Sequence, residues 1–69
     1  MRIFYETYEA YVMSVTSATV VGNRLICQTA ANSHLNVTFH SSTEAKEALK
    51  ELYKNGCYDA RKYMVELTA

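Results

Sequence analysis

The side chains best suited to chemistry are two cysteines, Cys27 and Cys57, and two histidines, His34 and His40. A thiol or hydroxyl becomes a nucleophile when a base lies within hydrogen-bond reach and a third group orients that base. The spacing here offers no such set. His34 falls in the polar connection around Ala30, Ala31, Asn32 and Ser33, and His40 closes a strand-like stretch on its polar side. A Cys27–His40 pair would require Cys27 to leave the core, where the strand register described below places it. Zinc is no better served: a closed site takes four ligands at short paired spacings, and the chain has neither C-x-x-C nor H-x-x-x-H. Both thiols are therefore expected to be reduced and buried as small apolar residues. Most carboxylates belong to one amphipathic helix and form no acid/base couple. There is no phosphate loop, G-x-G-x-x-G or nucleophile elbow. A chain of 69 residues also leaves little room for a ligand pocket of about 300 Å3 or more. The expectation is a non-enzymatic protein with no cofactor and no metal.

The elements that carry these residues are partly written in the sequence. Ser41 and Glu44 have capping-box spacing, with Ser42 as an alternative cap, and Ala45, Ala48, Leu49 and Leu52 form one apolar stripe. Gly56 supplies a left-handed stop, so a helix is predicted over about 42–55. Its charged flanks are sorted by sign. Glu44, Glu47 and Glu51 lie on one side of the stripe; Lys46, Lys50 and Lys54 lie on the other, beside Tyr53, with i,i+3 pairing open to Glu47–Lys50 and Glu51–Lys54.

Leu35, Val37 and Phe39 alternate with Asn36, Thr38 and His40, the pattern of a half-buried strand. Residues 16–21 and 24–29 flank Gly22-Asn23, a two-residue hairpin signal of the glycine-first kind. That turn sets Val20 opposite Leu25 and Ala18 opposite Cys27 on the apolar face, with Thr19 opposite Ile26 and Ser17 opposite Gln28 on the other. Residues 59–67 alternate again, with Tyr63, Val65 and Leu67 facing one way. The N-terminal stretch fits a helical stripe, yet its tyrosines, valines and threonines favour one long strand. In that strand Tyr5, Thr7, Tyr11 and Met13 share one face, and Phe4, Tyr8 and Val12 the other. The predicted fold is one small α+β domain over residues 1–69. It is an antiparallel sheet of four to five strands in the order β-β-β-β-α-β, with one helix packed on one face.

Composition narrows the function classes. Lys plus Arg equals Asp plus Glu at 7 each, so the formal net charge is zero. Nucleic-acid binders usually carry a basic excess or stripe, and a neutral surface favours self-association. The chain is 49% hydrophobic, with no proline and six tyrosines among its aromatics, too apolar for disorder. No run reaches the roughly 20 apolar residues of a membrane span, and the start, Met1-Arg2-Ile3-Phe4-Tyr5, lacks the apolar core of a secretory signal. The expected setting is cytoplasmic, with no membrane partner.

Two stretches stand out as binding surfaces. The first holds Phe4, Tyr5, Tyr8 and Tyr11 with Glu6 and Glu9 between them. Tyrosine gives large contact area at low entropy cost at protein interfaces, and the absence of Lys or Arg from residues 3–23 argues against base stacking. Tyr5, Glu6, Tyr8, Glu9 and Tyr11 are therefore the expected protein contacts. The second stretch, residues 16–42, carries one charge, Arg24. Natural edge strands usually carry charges that block pairing, so an uncharged edge suggests a pairing partner, unless the strand is interior.

In size, tyrosine content and lack of proline, the chain resembles the small inhibitor and host-takeover proteins of phages and mobile elements, anti-CRISPR proteins among them. That resemblance covers no diagnostic residue and implies only a mode of action, the blocking of a surface on a host enzyme, defence complex or other nucleoprotein. Two rival expectations come from other classes. One is a nucleic-acid-binding regulator using Lys46, Lys50, Lys54, Arg61 and Lys62; the other is a homodimer built through the uncharged edge.

Overall fold

A cap, an apolar stripe and a glycine stop define the helix α1 (Ser42–Asn55) with the bounds the sequence predicts. The Glu44 amide donates to Ser41 Oγ at 3.3 Å, and Glu44 Oε1 accepts from the His40 amide at 3.1 Å. Gly56 adopts φ 74° and returns its amide to the Leu52 carbonyl. Leu52 has no exposed surface and anchors the helix; burying such a side chain contributes about 1.5–3 kcal/mol.

The computed structural model describes residues 1–6 and 11–68. Around α1 it places β1 (Arg2–Tyr5), β2 (Tyr11–Val21), β3 (Arg24–Thr29), β4 (His34–Thr38), β5 (Cys57–Asp59) and β6 (Met64–Thr68). These form one sheet in the order β5-β1-β2-β3-β4-β6. The α+β class is as expected, with six strands rather than four or five. The sheet is mixed, because β5 pairs with β1 in parallel while every other ladder is antiparallel.

Two segments differ from expectation. The N-terminal stretch is two strands, β1 and β2, paired with Tyr5 opposite Tyr11. Their faces are nevertheless as alternation predicts: Ile3–Met13 and Tyr5–Tyr11 lie on one side, Phe4–Val12 on the other. β2 also absorbs residues 16–21, so the Gly22-Asn23 turn closes a longer strand than anticipated. At the other end, residues 59–67 are not one strand. Asp59 accepts from the Arg61 amide and the Ala60 amide pairs with the Phe4 carbonyl, so the chain turns away after β5. β6 then joins the opposite edge of the sheet, beside β4.

That split dictates the sheet's shape. Only residues 60–63 connect the two edge strands. Even fully extended, this link spans about 18 Å, whereas six flat strands put their outer members about 24 Å apart. The sheet must therefore coil. β2 provides the bend: Tyr11 to Ser14 pair with β1, Val15 onward pairs with β3, and the register slips between Val15 and Ser17. Such an irregularity increases local twist. Phe39 closes the coil, with its ring 6.1 Å from Tyr58 and 4.5 Å from Tyr63.

The interior holds Ile3, Val15, Leu25, Cys27, Leu35 and Val37 from the sheet, packed against Ala45, Ala48 and Leu52 of α1. Thr29 is the buried polar residue, and its hydroxyl is fully used in the β3–β4 turn. Thr29 Oγ1 lies 2.6 Å from Ser33 Oγ and accepts from the Ser33 and Ala31 amides. Among the described residues no helix is long and apolar enough to cross a membrane.

Candidate protein-binding surfaces

β3 and β4 are interior strands, flanked on both sides. The uncharged stretch is therefore an edge only in part, and the part is the second half of β2. β1 reaches β2 only as far as Ser14, with Met1 exchanging backbone bonds with Val15 beyond it. From Thr16 to Val21 β2 has β3 on one side and no described strand on the other.

Which backbone groups face that open side follows from the turn. A two-residue hairpin makes Val21 and Arg24 a hydrogen-bonded pair, and hydrogen-bonded pairs then alternate along the ladder. Ser17, Thr19 and Val21 bond to β3, while Ala18 and Val20 turn their N–H and C=O outward. Tyr53 confirms this orientation at Ala18. Its hydroxyl accepts from the Ala18 amide at 3.4 Å and donates to the Ala18 carbonyl at 3.3 Å. The sequence placed Tyr53 beside the lysine row without assigning it a role; its position at the border of the apolar stripe was the available signal.

The helix flanks take opposite surroundings. Lys50 and Lys46 lie one and two turns before Tyr53, on the flank that meets the β2 edge. Glu51 lies on the other flank, where it lines a depression of about 390 Å3 with Phe4, Tyr58 and Arg61. The expected Glu47–Lys50 and Glu51–Lys54 ion pairs do not form. Among the described residues the ion pair is Arg61–Asp59, at 2.7 Å. Exposed side chains i,i+3 apart gain too little to give up their freedom in water. Lys46, Lys50 and Lys54 are all exposed.

The five basic residues proposed together are thus divided. The helix lysines share the flank of Tyr53, which reaches β2 at Ala18, while Arg61 sits beside Glu51 tied to Asp59 and Lys62 lies near His40 and Tyr63. Arg61 contacts Asp59 through both its side chain and its backbone amide, which holds the Asp59 carboxyl down at about 2.

Of the aromatic segment, Tyr5 is half-buried and packs against the core, with its ring 5.8 Å from that of Tyr11. Tyr11 is 46% exposed, and Glu6 is exposed with φ 71°. Tyr8 and Glu9 lie outside the described residues. Phe4 is half-buried, lines the same depression as Glu51 and pairs with the exposed Val12.

The two thiols part company. Cys27 is buried opposite Ala18 and Leu35, as predicted, and burial pushes its pKa up to about 12. Cys57 is exposed, contrary to expectation, because it lies on the edge strand β5. His34 begins β4 rather than lying in the preceding loop, and both histidines are exposed. Among the described residues no three His, Cys, Asp or Glu side chains gather as a metal site.

No protein-family model, no curated protein and no solved structure matches this chain.

Proposed function

We propose that this protein is a non-enzymatic binding module that recognises another protein by strand pairing at the β2 edge. The observation that carries this reading is the open, uncharged run from Thr16 to Val21, whose outward backbone groups at Val20 meet no described strand. Short or charged edges are how folded proteins prevent unwanted pairing, and this edge is neither. A partner strand added there gains main-chain hydrogen bonds from the edge and specificity from alternate side chains. On the outer face those side chains would lie against Ser17, Thr19, Ile26, Gln28 and His34, which line a shallow depression.

The reading extends to inhibition. A small protein that captures an extended segment blocks whatever that segment normally engages, the mode suggested by its resemblance in style to phage and mobile-element inhibitors. Tyr11, exposed at the far end of the same strand, would add contact area.

Affinity capture from source cells, with wild type and Val20→Pro compared, tests the proposal. Proline at 20 removes an outward donor and leaves the β3 ladder bonds at 19 and 21 in place. The partner is expected with wild type and lost with the variant. Equal recovery with both would refute strand pairing at this edge.

A further inference from the structure

We infer that the β2 edge takes an extended acidic peptide segment, its backbone paired with Val20 and Ala18 and its carboxylates held by Lys46 and Lys50. This rests on the strand-pairing reading above and goes further by fixing the partner's chemistry.

Three observations converge on it. The edge itself carries no charge, so it neither attracts nor repels side chains of either sign. The helix flank beside it carries lysines with no carboxylate of the described residues within 4.0 Å, while Glu51 lines the depression on the other side of the helix. Tyr53 fixes the geometry that brings the two together, because its hydroxyl sits on Ala18 while its helix position lies one turn from Lys50. A strand laid along residues 17–21 therefore has its inward-facing side chains next to ammonium groups. Alternation sends every second residue to that side, so an acidic residue at alternate positions meets the lysine flank. The Tyr53 hydroxyl bonds, at 3.3 and 3.4 Å, are long for O–H and N–H contacts and are readily exchanged for a peptide's own groups.

The same charges argue against two other occupants. A second copy pairing edge to edge would relate the two chains by a dyad perpendicular to the sheet. Both helices would then lie on one side with their lysine flanks facing across the seam, and like charges so placed repel. A nucleic-acid strand would satisfy the lysines, but its phosphate oxygens only accept hydrogen bonds and cannot donate to the outward Val20 carbonyl as a peptide amide does.

The test uses three capped ten-residue peptides, read by fluorescence anisotropy against the full chain: alternating Thr and Glu, alternating Thr and Lys, and the Thr/Glu peptide with every backbone amide N-methylated. An oligothymidylate of ten nucleotides is the fourth probe. The Thr/Glu peptide is expected to bind, with affinity falling several-fold between about 50 and 200 mM salt as the lysines are screened. N-methylation, the double reversal Lys46→Glu/Lys50→Glu, and Val20→Pro should each weaken it at least about tenfold, in line with loss of charge-assisted or main-chain hydrogen bonds. Circular dichroism checks that each variant is folded. The charge reversal and the N-methylated peptide decide the matter even if Val20→Pro does not fold.

If the Thr/Lys peptide binds instead, and Val20→Pro abolishes that binding, strand pairing stands and the acidic partner is wrong. Should the Thr/Glu peptide bind equally well when N-methylated, the contact is charge alone and the inference fails. Oligothymidylate binding that is lost on charge reversal, with no Thr/Glu peptide binding, also overturns it. If no peptide binds and partner capture is unaffected by Val20→Pro, both this inference and the strand-pairing reading fall.

Discussion

The Tyr53 hydroxyl occupies both outward backbone groups of Ala18, donating to one and accepting from the other. It does for one residue what a neighbouring strand would do for several. Val20, two residues on, has no such cover from the described residues. Amide exchange followed by NMR should therefore alternate along β2: slow at Thr19 and Val21, fast at Val20, intermediate at Ala18. In Tyr53→Phe the Ala18 amide should exchange as fast as that of Val20, with Thr19 and Val21 unchanged. Stability should drop by less than about 1 kcal/mol, because the freed groups reach water. Strong protection at Val20 in the isolated protein would mean that the edge is already occupied.

Asn23 secures the opposite end of the same hairpin. Its Nδ2 donates to the Phe39 carbonyl at 2.9 Å, and its own carbonyl accepts from the Phe39 amide at 2.8 Å. The turn between β2 and β3 is thereby tied to the residue that closes the coil and leads into the helix cap. Asn23→Ala keeps the backbone bond and loses the partly buried side-chain bond. It should lower stability by about 1 kcal/mol, read as a shift in urea midpoint with an unchanged slope. A neutral result would show that the side chain does not hold the two segments together.

The two thiols should be separable by labelling. Cys57 is exposed on β5, and Cys27 is buried with its thiol kept neutral by the surrounding apolar atoms. The thiolate is the reactive form. A neutral-pH disulfide reagent should modify one thiol per native chain, mapped to Cys57, and the second only under unfolding conditions. Rapid labelling of Cys27 in buffer would place it outside the core.

Local signals explain what was legible in the sequence. The Gly22-Asn23 turn sets a register, and a period of two carries it along the ladder, so Val20–Leu25 and Ala18–Cys27 follow without knowledge of anything distant. Ser41, Glu44 and Gly56 do the same for α1. What escaped depends on contacts remote in sequence. Nothing in Cys57, Tyr58 or Asp59 announces a parallel partner 55 positions earlier at Arg2, Ile3 and Phe4. The alternation of Tyr63, Val65 and Leu67 reads straight through the turn that sends β6 to the other edge, although Asp59 two residues before Arg61 is a turn signal. The site was half legible for the same reason. Lack of charge marked residues 16–42, but the distant pairing of β6 with β4 closes one side of that region, and the extent of β1 along β2 leaves residues 16–21 open on the other.

Asp59 gives a test of that turn through pH. The Arg61 guanidinium and then its backbone amide lower the Asp59 carboxyl from an ordinary 3.8 to about 2. A carboxyl whose folded value lies below its unfolded one adds stability above the unfolded value and loses it as pH falls through the folded one. The window therefore runs from near pH 4 down to about pH 2. Both partners are about half exposed, at 46% and 52%, so solvent screening keeps the contribution small. Asp59→Asn retains an acceptor for the Arg61 amide but removes the charge. Urea midpoints at pH 6 and pH 2.5 should differ more for wild type than for Asp59→Asn, with the variant less stable at pH 6. If both proteins lose the same stability between those pH values, the Asp59–Arg61 pair does not stabilise the turn that separates β5 from β6.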